Sequence, residues 1–384
     1  MSGQVLELLD CQRPLFAIPR ELAYFNCAYM SPLLLKSAAA AERGLHRKLT
    51  PWEITAPDFF TGPDQARDLF ARLIGATADD IAVTSSASYG MATAALNIEV
   101  GRGREIVLAF EEFPSGVLIW REVAARTGAR IVTVDRPADG DWTAAMENAI
   151  GADTAVVIAS QTHWVCGGYT DLPKIGARCR EVGAALVVDA TQSVGAMPID
   201  IREVDPDFLA VAGYKWLLAP YSSGFLYVAP RHQQGRPIDE VWTSRAGADD
   251  FRLLANYRDE YQLGARRFDG GERANFALLP GAIAALEQLL AWTPERISAT
   301  VGALCDRIIE AVAPFGLSAL PAAVRSPHYL SLKANRPFPA DLPARLAGRG
   351  VYASARGDRL RLSPHVYNDD EDVERLVAAL REAL

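Results

Sequence analysis

One lysine stands in unusual company. In "VAGYKWLLAP", residues 211–220, Lys215 lies between Tyr214 and Trp216, just after an apolar run that ends at Gly213. Desolvation lowers the pKa of a lysine, and the neutral amine can then attack a carbonyl to form an imine. The plainer reading is a snorkelling side chain with its head in water. Upstream, Asp189 closes "ALVVD", at the tip of a candidate buried strand. A carboxylate in that place is costly unless something cationic meets it; alone, it reads equally well as a cap of the next helix. The pair says more than either member. Pyridoxal phosphate takes a lysine on its aldehyde, and an acid keeps its pyridine nitrogen protonated so that the ring withdraws electrons.

Such a cofactor also needs a phosphate cradle and a ring against its face. "AVTSSASYGMATAALN" runs from a strand through small hydroxyl residues into a helix, so free backbone N–H groups near Ser86, Ala87 and Ser88 would meet a phosphate. Serine is also a common N-cap, which weakens that signal on its own. "EEFPSGV" places Phe113 in a strand-to-helix loop, where it reads as core or as a stacking ring.

The elements that would position these residues can be read from periodicity. "IAVTSS", "EIVLAF", "RIVTV", "AVVIAS", "ALVVDA", "FLAVAG" and "GFLYVA" are apolar on both faces, as buried parallel strands are. Helical patterns alternate with them, among them "DLPKIGARCREVG" with Gly183 as its C-cap. The expected architecture is α/β: a mainly parallel seven-stranded sheet flanked by helices, with a smaller α+β C-terminal domain. The large domain is placed at residues 20–262, and 1–19 with 263–384 form the small one. The last helix is expected to start from Asn368 as N-cap. In open sheets of this kind ligands bind beyond the carboxyl ends of the strands, where Lys215 and Asp189 fall.

Composition narrows the partners. The chain of 384 residues is half hydrophobic and carries a net charge of −8 without a basic cluster, which argues against nucleic acid and anionic membrane surfaces. No apolar run is long enough to span a bilayer, and the start lacks a basic signal-peptide region. Five scattered cysteines with no CxxC pair argue against a metal site and fit a reducing cytoplasm.

The order "TSSASYG", "EFPS", "THWVCGG", "DATQSVGA", "GYKW" and "RLSPHVYN" resembles the class V aminotransferases, fold-type I pyridoxal-phosphate enzymes, over nearly the whole chain. The resemblance implies that Lys215 is the Schiff-base lysine and Asp189 the partner of the pyridinium nitrogen. It places Gln192 at the cofactor's phenolic oxygen, with Trp164 a second candidate there, and Phe113 on the ring face. Ala87, Ser88 and Tyr214 match phosphate-binding positions. Arg361 matches the arginine that grips the substrate's α-carboxylate, while His365 and Tyr29 fall at positions near the substrate. It further implies a homodimer acting on an amino acid as its small-molecule substrate.

Two departures matter. Cysteine desulfurases carry a nucleophilic cysteine on a long loop shortly before the carboxylate-binding arginine, and "GRGVYASARGDRLRLSPH" has none. That argues against desulfurase chemistry, and the "GYKW" and "THW" variants look closer to the kynureninase and isopenicillin N epimerase branch. Relatives also place a threonine or asparagine in the stretch here written "FDGGERANF" to reach the partner subunit's phosphate. This chain has Glu272, Arg273 and Asn275; a glutamate would repel that group, so either Arg273 or Asn275 takes the role or the segment contacts something else, with Asn275 preferred. The expected activity is amino-group transfer, with a lyase or an epimerase as the alternative. A dinucleotide-dependent dehydrogenase would want G-x-G-x-x-G after the first strand, where the chain offers "TSSASYG". A binding protein without cofactor would have no use for Lys215, Asp189, Gln192 and Arg361 together.

Overall fold

The computed structural model describes residues 6–384. Its centre is a seven-stranded sheet: β1 (Ile81–Thr84), β2 (Glu105–Ala109), β3 (Arg130–Val134), β4 (Thr154–Ala159), β5 (Ala185–Asp189), β6 (Phe208–Ala212) and β7 (Gly224–Val228). The spatial order is β1-β7-β6-β5-β4-β2-β3, and every strand but β7 runs the same way. The missing polar alternation has a direct cause. Val83, Val107, Val157 and Val188 enter one core layer, whereas Ala82, Ile106, Ile158 and Val187 enter the other. Both faces are covered, so both must be apolar. Only β3, at the edge, exposes part of its length.

The second layer holds α3 (Ala87–Asn97) and α4 (Pro114–Thr127). The first holds α2 (Asp58–Ile74), α5 (Trp142–Ala149) and α6 (Leu172–Val182), the last closed by Gly183 at φ 71°, while α1 (Leu35–His46) lies outside that layer. Beyond the sheet, α7 (Leu279–Trp292) packs on α1 and α2 and leads into α8 (Pro294–Val312). The C-terminal part adds an antiparallel sheet of β8 (Leu317–Ser318), β9 (Leu330–Ala334), β10 (Ser354–Arg356) and β11 (Arg359–Leu362) in the order β10-β11-β9-β8, and ends in α9 (Asp370–Ala383), which packs on α8. The N-terminal segment is tied to this part. Gln12 donates its N–H to the Val366 carbonyl, and Arg13 pairs with the buried Asp372 at 2.5 Å.

One helix start differs from expectation. The N-cap of α9 is Asp369, in a reciprocal capping box with Asp372. Asn368 lies one residue earlier and does another job: it accepts the His365 N–H at 3.1 Å and donates to Asp372 Oδ2 at 2.8 Å. Among the described residues, no helix is long and apolar enough to cross a membrane.

Register sets the site. Thr84 at the end of β1 and Ala212 at the end of β6 both pair with Gly224 at the start of β7. The two strand ends are therefore level, and the loops that leave them emerge at one edge of the sheet. Asp189 ends β5 opposite Ala210, beside that edge.

Candidate active site

A cavity of about 440 Å³ opens at this edge. Lys215 and Tyr214 enter it from the turn between β6 and β7, Asp189 and Gln192 from the end of β5, and Ser86, Ala87 and Ser88 from the start of α3. Phe113 and Trp164 complete the wall from the ends of β2 and β4. Strand ends thus bring together residues that lie far apart in the chain.

The turn that carries Lys215 is tightly built. Gly213 donates its N–H to the Ser223 carbonyl at 2.7 Å, and Ala219 donates to the Gly213 carbonyl at 3.0 Å. Leu218 and Ser222 adopt φ of 54° and 67°, left-handed values that non-glycine residues hold only where packing over-determines them. The result is a lysine only 6% exposed. Its Nζ stands 5.2 Å from the centroid of the Phe113 ring and 5.5 Å from that of Tyr214. Burial pushes the amine down to about 8; Asp189 opposes that fall, while the Arg361 and Arg356 guanidiniums deepen it.

Asp189 is held by its surroundings. Its Oδ1 accepts the Thr191 N–H at 3.0 Å, and Thr191 Oγ1 accepts the Ala212 N–H at 3.1 Å. Through Thr191, the acid is fastened to the strand that leads to the lysine. Gln192 accepts from Trp216 Nε1 at 2.9 Å and donates Nε2 to the Ala28 carbonyl at 3.2 Å, which leaves one amide hydrogen for the cavity.

At α3, Ser86 is the N-cap, its Oγ accepting the Tyr89 N–H at 3.2 Å and lying 3.0 Å from Ser88 Oγ. The Ala87 and Ser88 N–H groups belong to the unsatisfied first turn and face an anion-sized space. Close packing holds this helix end in place: a Cβ on Gly90 would come within 2.6 Å of the Ala210 Cβ.

Arg361 lies on β11, 1% exposed. Its Nε donates to Ser354 Oγ at 3.0 Å and its Nη1 to the Tyr329 hydroxyl at 3.2 Å, while Nη2 is buried without a partner. A buried, unpaired donor on a guanidinium is costly and fits an incoming carboxylate.

Several sequence expectations need correction. Trp164 donates its only N–H to the Glu111 carbonyl at 2.7 Å, so it presents ring, not donor, and cannot serve the phenolic oxygen. His365 is fully buried behind Trp216, at a ring distance of 5.8 Å, and is sealed from the cavity. Burial pushes its pKa down to about 3, so it is a neutral packing element. Arg273 pairs through Nη1 with Asp269, which also pairs with Arg67 at 3.0 Å, all three nearly fully buried, so its charge is already met by a carboxylate while its Nε has no partner. Asn275 Oδ1 accepts the N–H groups of Ala277 and Leu278 in the turn before α7, and the residue lines an adjoining cavity of about 260 Å³ that shares Ser85 and Ser222 with the main one. Tyr29 is 56% exposed, outside the cavity wall, yet close enough to Tyr214 and Arg356 to bear on their titration.

Glu112 was missed. It lines the cavity, accepts the Phe113 N–H at 2.7 Å and the Ser160 hydroxyl at 3.1 Å, and burial raises its pKa. The reasoning that singled out Asp189 applies equally to an acid beyond the end of β2, so the signal was present in "EEFPS".

The donor set fits pyridoxal phosphate: an amine of lowered pKa, a fixed acid, an aromatic face and a helix N-terminus open onto one space. Comparison with known proteins agrees. An uncharacterised aminotransferase, YcbU, of Bacillus subtilis is 28% identical over 315 residues, 81% of each chain. The isopenicillin N epimerase of Amycolatopsis lactamdurans is 26% identical across 83% of this chain and 84% of its own. The kynureninase of Deinococcus radiodurans is 29% identical across 68% and 66%. In fold, the cystine C–S lyase C-DES bound to cysteine persulfide superposes with a TM-score of 0.85 at 22% identity, covering 94% of this chain and 98% of that one. A cysteine desulfurase from Thermococcus onnurineus gives 0.81 at 20% identity, covering 100% and 99%. The family model of the class-V aminotransferases matches residues 30–376, and the chain belongs to that family of pyridoxal-phosphate-dependent enzymes.

Proposed function

We propose that this enzyme is an aminotransferase acting on an amino acid. The observation that carries the reading is the fastening of Asp189 to the strand that leads to Lys215, with the Arg361 guanidinium, its Nη2 unpartnered, near enough to depress that amine. When bound, pyridoxal phosphate supplies an aldehyde for amines and a ring that stores electrons. With the cofactor bound, Lys215 would be the base that takes the Cα proton, in a pocket where its neutral form is accessible near pH 8. Asp189 holds a proton at the pyridine nitrogen, Phe113 supports the ring face, and the first turn of α3 with Tyr214 takes the phosphate. Gln192 points its remaining N–H at the phenolic oxygen. Arg361 orients the α-carboxylate. Asn275 is proposed to reach the phosphate of a partner subunit in a homodimer.

A lyase or an epimerase is the second reading, favoured by the kynureninase and isopenicillin N epimerase relatives. Desulfuration is disfavoured because the hairpin of β10 and β11 holds no cysteine. The five cysteines are free thiols, in support of a cytoplasmic placement. A two-part organisation, with residues 20–262 as the large domain and 1–19 with 263–384 as the small one, draws support from the Arg13–Asp372 pair. Single-turnover mixing with candidate amino acids decides the reaction. Accumulation of the amine form of the cofactor supports transfer; keto acid or another product released with the aldehyde form regained refutes it.

A further inference from the structure

A second guanidinium lies beside the cavity wall, next to the Trp164 ring, and nothing assigned so far uses it. Ser354 pairs with Arg361 and Arg356 with Arg359 across β10 and β11. Residues two apart on a strand share a face, so Arg356 and Arg361 lie on the same one, as diagonal neighbours with Cα atoms roughly 7–8 Å apart. Arg356 is half-buried and forms no ion pair among the described residues; it donates only to the Ala355 carbonyl next to it, at 2.7 Å. Its guanidinium carbon stands 6.0 Å from the centroid of the Trp164 ring, and that ring is part of the cavity wall. Trp164 in turn cannot move freely, since its indole N–H is bound to the Glu111 carbonyl and its own carbonyl accepts the Tyr329 hydroxyl.

The electrostatics agree with this placement. Both arginines depress the Lys215 amine, and Arg361 disfavours the charge on Arg356. Two like charges kept together without a carboxylate between them are unfavourable until anions arrive, and an arginine stacked on an aromatic plane keeps its fork free for a planar acid. The acids of the cavity do not fill the need, because Glu112 and Asp189 are held by Ser160, Phe113 and Thr191. One guanidinium is fully buried and the other lies nearer solvent, which suits a ligand with one acid inside and one toward the opening.

We propose that Arg356 is a specificity residue and that the substrate is a dicarboxylic amino acid, its side-chain carboxylate held by Arg356 while Arg361 holds the α-carboxylate. The inference rests on the reading of Arg361 as the α-carboxylate anchor. Calorimetric titration of the holoenzyme with glutarate and with butyrate tests it without knowledge of the reaction. Glutarate is expected to bind at least about tenfold more tightly, the scale of one charge-assisted contact. Arg356→Gln should bring glutarate to the level of butyrate and leave butyrate unchanged, and Arg356→Lys should restore part of the difference. Equal affinities in the natural protein, no binding of either acid, or a parallel loss of both in Arg356→Gln would overturn the proposal. Borohydride reduction followed by peptide mapping separates this from the underlying reading: without a pyridoxyl adduct at Lys215 it is the site assignment that fails.

Discussion

Lys215 is reactive because its surroundings make its ammonium form expensive. The apoprotein should therefore condense with pyridoxal in a reaction that rises with pH to a midpoint near 8, read from imine absorbance, where an unperturbed lysine would titrate near 10.5. The sign of the Asp189 contribution gives a second expectation. Asp189 stabilises the ammonium, so Asp189→Asn should move that midpoint lower still while weakening the electron-withdrawing power of the bound ring; a midpoint that moves up contradicts the assignment. Lys215→Ala should remain folded, hold cofactor without a covalent bond and lose turnover by about 10²–10⁴-fold, the usual share of a positioned base. The chemistry of these two residues was legible in "ALVVD" and "GYKW" because buried ionisable groups are costly and so carry meaning. His365 and Trp164 were not, since their types suit pocket and core alike, and only packing shows that one is sealed behind Trp216 and the other has its N–H turned away.

The elements work by register and close approach. α3 can aim its first turn into the cavity only because Gly90 lets it settle on Ala210. Gly90→Ala should cost about 1–3 kcal/mol as overpacking, read as a lower thermal midpoint, and should weaken phosphate binding more than ring stacking. The segment from Asp269 to Asn275 is pinned differently. Asp269 bonds Arg67 on α2, Arg273 and the Val83 N–H of β1, so Asp269→Asn leaves the buried Arg273 without its counter-ion and Arg67 with only the half-exposed Asp64. A loss of about 3–5 kcal/mol in denaturant unfolding is expected, and a value under about 1 kcal/mol would refute the pinning role. The seven strands could be read from apolar runs of the right length, and the Gly183 cap from its glycine. The true cap of α9 could not, because Asn368 and Asp369 are both good caps and the choice is made by the pull of Asp372.

For the whole molecule, the open question is what covers its apolar exterior. Tyr257 is 95% exposed and Leu263 82%, with Trp242 and Leu254 partly exposed in the same stretch. A chain that leaves such side chains in water is expected to bury them against a second copy. Sedimentation should give twice the chain mass of 41.6 kDa, and paired changes Tyr257→Glu and Leu263→Glu should give the single chain with weakened cofactor binding. A single species at 41.6 kDa in the natural protein would remove the dimer and, with it, the role proposed for Asn275.

The antiparallel strand bears on how the protein is born. β1 touches only β7 within the sheet, so Ile81 waits for Tyr227, far downstream, before its backbone is paired. A nascent chain that has emerged only through β6 already owns the acid and the strand that will present the amine, but its earliest strand is still a bare edge and the phosphate end has no fixed height. The two walls of the cavity therefore reach a common height only when β7 is inserted between β1 and β6, which makes the last strand of the central sheet the one that completes the pocket.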